Sequence, residues 1–345
     1  MRHDRFSKSS TATCERRAAI NARRQLSSDE IVAGVQAGNR AILARAITLI
    51  ESRAEAHQAL AQEVLQQLLP YSGRSIRIGI TGAPGVGKST LIEALGLLLI
   101  AQGRRPAVLA VDPSSSRTHG SILGDKTRME QLTRAPEAFI RPTAAGNTLG
   151  GVARRTRETI MLCEAAGFDT IIVETVGVGQ SEIAVRAMVD CFVLLLLAGG
   201  GDELQGIKKG IVEIADLLLI TKADGAHREL ALGARAEYMH ALRYLAPAES
   251  GWRPPVQICS AMSGEGIDTL WETIKAHEQA MRAAGFFTAR RRQQAEAWFD
   301  SLIEEGLRAQ FMARPGMAGR LRELRAAVGE GTLTAVAAAE RILDA

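Results

Sequence analysis

The rhythm of apolar and polar positions changes twice along the chain. From residue 27 to about 70, apolar residues recur at helical spacing, as in "EAHQALAQEVLQQLL" before Pro70. Ser27, with Glu30 three positions on, has the form of a capping box, and Gly38–Asn39 ends a first helix before a second begins. From residue 76 the pattern turns to short, continuous apolar runs: "IRIGIT", "PAVLAVD", "DTIIVE", "CFVLLLL", "DLLLIT" and "VQICSA". Each is followed by enough residues for a helix, and runs apolar on both faces need cover on both. The pattern therefore predicts an α/β fold, a mostly parallel central sheet flanked by helices. After Ile267 the strands stop: residues 267–312 read as helix, "ARPGMAG" breaks it, and one or two short helices close the chain. The expected organisation is a flexible basic leader (1–26), a helical extension (27–72), the α/β domain (73–284) and a C-terminal helical arm (285–345).

Composition narrows the class. Of 345 residues, 46% are hydrophobic and 23% charged, as in a globular chain. The longest apolar runs, "LGLLLIA" and "VLLLLA", are too short to cross a bilayer, and no signal-peptide core appears, so a cytoplasmic protein without a membrane partner is expected. The net charge of +4 is unevenly placed. Residues 1–26 carry seven basic side chains against two acidic ones, leaving the remainder slightly acidic, which gives no case for nucleic-acid binding. A mitochondrial matrix location would follow only if that leader were a transit peptide. Cys14, Cys163, Cys191 and Cys259 form no CxxC pair; the last three sit in apolar stretches and read as buried structural thiols.

"GITGAPGVGKST" carries the first chemistry. Gly82-x-x-x-x-Gly87-Lys88-Ser89 follows an apolar strand and opens a helix, the context a P-loop requires. The run Gly82, Ala83, Pro84, Gly85, Val86, Gly87, Lys88, Ser89 and Thr90 would curl its amides around phosphate oxygens at a helix N-terminus. Lys88 would reach the β- and γ-phosphates, and Ser89 would ligate Mg²⁺. Further Mg²⁺ ligands are expected from strand ends and an adjoining loop: Asp112 after "VLAV", Glu174 after "IIV", and Asp125 in "ILGDKTRM". Glu174 opens "ETVGVGQSE", an acid-x-x-Gly switch in which the Gly177 amide would sense a γ-phosphate.

Two turns bear on the base. In "LLITKADG", Asp224 stands just beyond a strand, placed to accept guanine N1–H and N2–H₂ together, while adenine would leave its carboxylate unpaired. Lys222 would lay its stem along the base, and the turn Ser260-Ala261-Met262 could offer an amide to guanine O6. Thr221 stands where this motif usually has asparagine, and a hydroxyl cannot span both base N7 and the P-loop.

"VDPSSSRTHGSILGDKTRM", "GNTLGGVARRTRETIMLCEAAGFDTIIVETVGVGQSE" and "GDELQGIKKGI" together resemble the MeaB/ArgK group of P-loop GTPases, associated with adenosylcobalamin-dependent methylmalonyl-CoA mutase. The resemblance runs from about residue 27 to the end. It implies a P-loop NTPase fold with an N-terminal helical extension and a C-terminal dimerisation arm. It also implies slow, mutase-stimulated hydrolysis of GTP to GDP that gates cofactor loading and protects the mutase, or a related acyl-CoA mutase. By matching motif, Ser89, Asp112, Asp125 and Glu174 would hold Mg²⁺, and Lys222, Asp224 and residues 260–262 the base. "GGGDELQGIKKG" would be a third switch loop meeting the mutase, with Asp202, Glu203, Lys208 and Lys209 as its charged contacts.

Lys88 and, as a water-positioning group, Asp112 are the candidate catalytic residues; no arginine finger or strong water-orienting base stands out. Two other readings share this nucleotide chemistry. A metallochaperone-type GTPase would need a Cys/His cluster, and none is visible in the sequence. A protein kinase acting on a transport-associated binding protein would transfer the γ-phosphate to protein instead of water.

Overall fold

The computed structural model describes residues 26–52, 54–111, 129–143, 149–175, 181–198, 209–244 and 249–344. Three helices come first: α1 (Ser28–Gln36), α2 (Arg40–Glu51) and α3 (Glu55–Leu68). The capping box forms as expected, with Ser27 Oγ accepting from Glu30 N and Glu30 Oε2 from Ser27 N.

Strands and helices then alternate: β1 (Ile76–Gly82), α4 (Lys88–Ala101), β2 (Pro106–Val111), α5 (Glu130–Arg134), β3 (Phe139–Thr143), α6 (Leu149–Ala165) and β4 (Thr170–Thr175). After these come α7 (Ser181–Arg186), β5 (Cys191–Leu197), α8 (Lys209–Ile214), β6 (Leu217–Thr221), α9 (Arg228–Leu242) and β7 (Val256–Ile258). The seven strands make one sheet in the order β3-β2-β4-β1-β5-β6-β7, and every pairing is parallel. The α/β expectation holds, with one strand more than the six anticipated. That strand, β3, is short, lies at the edge and contains Pro142, which a central strand would not tolerate.

The apolar runs are continuous because each strand feeds two cores. Ile171, Val173, Leu194 and Leu196 face one core, shared with Val35, Leu43, Ile47, Leu65 and Leu68 of the N-terminal helices. Ile172, Val193 and Leu195 face the other, against Leu91, Leu95 and Leu99 of α4. Strand period and burial on both faces thus explain the same residues. Cys163, Cys191 and Cys259 are buried and unpaired, as expected, and burial pushes the Cys259 thiol up to about 12.

Residues 267–312 form two helices and not one, α10 (Ile267–Ala283) and α11 (Phe286–Met312). Gly285 separates them with φ 76°, a left-handed conformation that closes α10 and begins α11. The chain ends in α12 (Met317–Gly329) and α13 (Ala335–Leu343).

Ion pairs bolt the front of α11 to the amino edge of the sheet. Arg291 donates to both carboxylate oxygens of Asp190 (2.8 and 2.6 Å) and to the carbonyls of Gly73 and Ser75. Glu164 is equally well satisfied: it accepts from Ser75 Oγ, from Gly73 N and twice from Arg77. Burial alone would raise the Glu164 pKa, but the Arg77 pair and these hydrogen bonds hold it below the usual carboxylate range.

Candidate functional site

The site lies along the carboxyl edge of the sheet. β1 runs into the P-loop at its centre, and β4 and β5 flank it. Gly82 has φ 153°, and a Cβ there would stand 2.7 Å from the Leu195 carbonyl, so only glycine lets β1 turn away from β5 at this point. Gly87, at φ 102°, caps α4 without a side-chain acceptor. The first turn of α4, at Lys88, Ser89 and Thr90, has no side-chain cap and points the positive end of the helix into the loop. Such an end receives anions.

Lys88 is 8% exposed, and its Nζ donates to the carbonyls of Gly82 (2.8 Å) and Ala83 (3.1 Å), which holds the ammonium inside the loop's curl. Ala83, Pro84, Gly85 and Val86 complete the curl, Val86 N donating to Ala83 O. Parallel register sets Glu174 beside Ile80 of β1, two residues before the loop begins. Ser89 Oγ accordingly donates to Glu174 Oε1 at 3.4 Å. Two of the four residues expected to hold a metal are thus neighbours. Asp112, Asp125 and Gly177 lie outside the described residues, as do residues 202–208 of the glycine-rich loop; Lys209 begins α8.

Three hydrogen-bonded pairs that sequence reasoning missed join the parts of the edge. Thr81 and Thr175 share a buried bond between hydroxyls at 2.7 Å, tying β1 to β4 directly beneath the loop. Thr221, 4% exposed, donates from Oγ1 to the Val86 carbonyl at 2.6 Å, tying the turn after β6 to the P-loop. Loss of the usual asparagine suggests a poorer site; the hydroxyl nevertheless makes the P-loop half of that residue's contacts. Ser260, fully buried and anticipated only through its backbone, also donates from Oγ to Asp224 Oδ2 and fixes the carboxylate's direction.

The two turns expected to read a base are held together by backbone as well. Ala223 N donates to Cys259 O and Cys259 N to Ile220 O, and Arg228 pairs with Glu265 across the outside. Lys222 has φ 57°, and it is the one described residue other than glycine with positive φ. This rare backbone turns its side chain toward the loop, where Lys222 Cε lies 4.0 Å from the position of a Cβ on Gly87. Ala261 is half-buried and Met262 is 84% exposed at the turn's tip. The sheet edge therefore brings Lys88, Ser89, Glu174, Lys222, Asp224 and Ser260 into one constellation: an anion cradle, a carboxylate–hydroxyl pair, and a fixed carboxylate beyond an exposed lysine stem.

Comparison with known proteins agrees. Residues 43–316 match the family model described as "Methylmalonyl Co-A mutase-associated GTPase MeaB". A putative GTPase of Caulobacter vibrioides is 54% identical over 90% of this chain and 94% of its own length. GTPase ArgK of Escherichia coli is 48% identical over 88% of this chain and 92% of its own. The crystal structure of a LAO/AO transport system kinase superposes with a TM-score of 0.76 at 40% identity, covering 92% of this chain and 96% of that one. With phosphate cradle, sheet order and relatives in agreement, the chain belongs to the MeaB family and is a P-loop GTPase.

Proposed function

We propose that the protein is a GTP-gated chaperone of an adenosylcobalamin-dependent acyl-CoA mutase, with methylmalonyl-CoA mutase as first choice. In this reading GTP hydrolysis controls cofactor loading and protects the loaded enzyme. One observation carries it: the Thr221–Val86 bond couples the turn that would read the base to the loop that would hold the phosphates. The chain that makes this bond belongs to a family described by its association with that mutase.

On this reading, the curl from Gly82 to Thr90 binds the phosphates through its amides, and Lys88 exchanges the loop carbonyls for β- and γ-phosphate oxygens. Asp224, aimed by Ser260, accepts the guanine amino edge; Lys222 lies along the base, and the turn Ser260-Ala261-Met262 supplies an amide to O6. The hard oxygens of Ser89 and Glu174, already neighbours, fit Mg²⁺. With Asp112 and Asp125 they would hold the ion, which when bound supplies positive charge against the negative charge that develops on the phosphate oxygens. Asp112 positions the water, and Gly177 reports the γ-phosphate to α7. The loop at 201–211 carries that report to the mutase.

Self-association fits the arm. Phe299, Ile303 and Leu307, 63%, 44% and 62% exposed, repeat every fourth residue along one face of α11, and we assign this stripe to a homodimer. We also keep the division into extension, GTPase domain and arm at 72/73 and 284/285, and a cytoplasmic location. Among the described residues no helix is long and apolar enough to cross a membrane.

The test is phosphate release from GTP, measured alone and with a cognate mutase. A weak basal rate that rises on adding mutase is expected; a fast rate indifferent to the mutase would refute the chaperone role. Likeness to the solved LAO/AO transport system kinase favours a kinase as second reading. GTP labelled at the γ-phosphate separates the two, since a switch releases free phosphate and a kinase labels protein.

A further inference from the structure

At the amino edge of the sheet, opposite the P-loop, a cavity of about 760 Å³ opens between α8, α9, the front of α11 and the segment leading into β7. Parallel strands separate it from the nucleotide edge: Asp216 precedes β6, whereas Thr221 ends it, five residues and about 15 Å further on. Its volume falls in the range of small-molecule sites. No part of the nucleotide constellation borders it.

Its lining is unusual in charge. Five arginines stand against two carboxylates, Glu213 and Asp216. Asp216 is almost fully buried and already shared: Arg186 lies at 3.0 Å, Arg290 at 3.6 Å and His277 Nε2 at 3.5 Å. It also accepts from Phe192 N. Burial lowers the pKa of Arg186, and the positive charge of Arg290 adds to that, although Asp216 opposes it. Within the cavity one carboxylate, Asp216, thus faces two guanidinium groups, with Asp190 acting on Arg186 from outside the lining. Arg235 is engaged by the Val256 carbonyl, a neutral acceptor. At the rim, Arg243 and Arg253 make no ion pair with any described residue. The excess positive charge thus faces the open space.

The remaining wall is apolar. Trp252 is held in place by donating from Nε1 to the Asp216 carbonyl at 2.8 Å, and it packs edge-on against His277. Met239, 42% exposed, and Pro254 continue this surface. Guanidinium forks beside an aromatic and aliphatic wall match an anion with a flat or apolar body, because the forks pair bidentately with phosphate or carboxylate oxygens.

We propose that this cavity binds a small organic phosphate carrying an aromatic or apolar group, with Arg243 and Arg253 gripping the anion and Trp252 and Met239 the apolar part. Arg186 ends α7, the helix that follows residues 176–180, and Arg290 lies near the start of α11. An occupant competing with Asp216 for these two guanidinium groups would therefore bear on both the switch side and the arm.

The experiment is isothermal titration calorimetry on the full chain saturated with GDP, so that the P-loop is filled and its chemistry is not under test. The probes are 1-naphthyl phosphate and inorganic phosphate. Saturable binding of 1-naphthyl phosphate with a Kd below about 1 mM is expected, with inorganic phosphate at least about tenfold weaker because it leaves the apolar wall uncovered. The double variant Arg243→Ala/Arg253→Ala should weaken naphthyl phosphate at least about tenfold while leaving basal GTP hydrolysis unchanged. Lys88→Ala, saturated or not with GDP, should bind the probe as the parent does. Absence of saturable binding, or equal binding by the double variant, overturns the proposal. So does loss of probe binding in Lys88→Ala, which would place the anion in the P-loop.

Discussion

The Thr221 hydroxyl ties the turn proposed to read the base to the P-loop, and replacing it by the isosteric valine isolates that contact. Thr221 is buried, its bond to the Val86 carbonyl is 2.6 Å long, and a second carbonyl, Leu196 O, lies 3.3 Å from the same oxygen. Thr221→Val keeps the volume and removes the donor. The hydrogen bond itself contributes about 1 kcal/mol, and leaving a carbonyl buried without its donor costs about 1–3 kcal/mol. The bond joins two parts of the chain itself, so most of this should appear as lost stability, read as a fall of a few degrees in Tm. Affinity should fall by the part that comes from preorganisation, up to about 1.4 kcal/mol or tenfold in the Kd for GDP. Thr221→Asn offers an amide donor at the same place and should retain the tether, with GDP binding equal to or tighter than the parent. Calorimetry and thermal denaturation on the three proteins decide the matter. If Thr221→Val matches the parent in both Tm and Kd, the tether does nothing and the coupling assigned to it is wrong.

Other expectations follow from the same contacts. Asp224→Ala should cost GDP binding about two orders of magnitude, the equivalent of two hydrogen bonds to a charged acceptor, and abolish preference over ADP; equal affinity of the parent for GDP and ADP would remove the guanine reading. Glu164→Gln breaks the pair with Arg77 and should destabilise the chain by about 3 kcal/mol in denaturant titration. Because the folded pKa of Glu164 is depressed, its stabilisation is present above the unfolded value of about 4.3 and is lost as pH falls through the folded value. The parent should therefore lose stability on acidification below about pH 4 more steeply than Glu164→Gln does, and parallel profiles would contradict this assignment.

What could be read from the sequence was what repeats locally. β1, β2, β4, β5 and β6 were visible because both faces are largely buried, which gives each a run dominated by apolar residues. β3 was not: in "FIRPT" Arg141 interrupts the run, reaching out to Glu51 at 2.6 Å, and Pro142 argues against a ladder that an edge strand only half needs. The P-loop was legible because a phosphate cradle requires glycine, lysine and hydroxyl at fixed offsets in a single turn. The bonds that assemble the edge were not, since Thr221 is 135 residues from Val86 and Thr81 is 94 from Thr175. Threonines at strand ends carry no signal of their own.

That difference separates affinity from selectivity in this site. The residue that departs from the usual motif, Thr221, spends its only proton on the Val86 carbonyl, so it can offer base N7 no donor while that bond stands. On the proposed reading, selectivity between guanine and adenine rests elsewhere, on Asp224, whose direction is set by Ser260 and whose turn is tied to the next by backbone bonds between Ala223 and Cys259 and between Cys259 and Ile220. None of these involves position 221's side chain. The substitution should therefore weaken every purine nucleotide alike while leaving their ratio intact. On the proposed reading, weaker binding with undiminished choice of base would suit a switch that must exchange GDP for GTP without losing its selectivity, since a lower affinity is expressed chiefly as faster release.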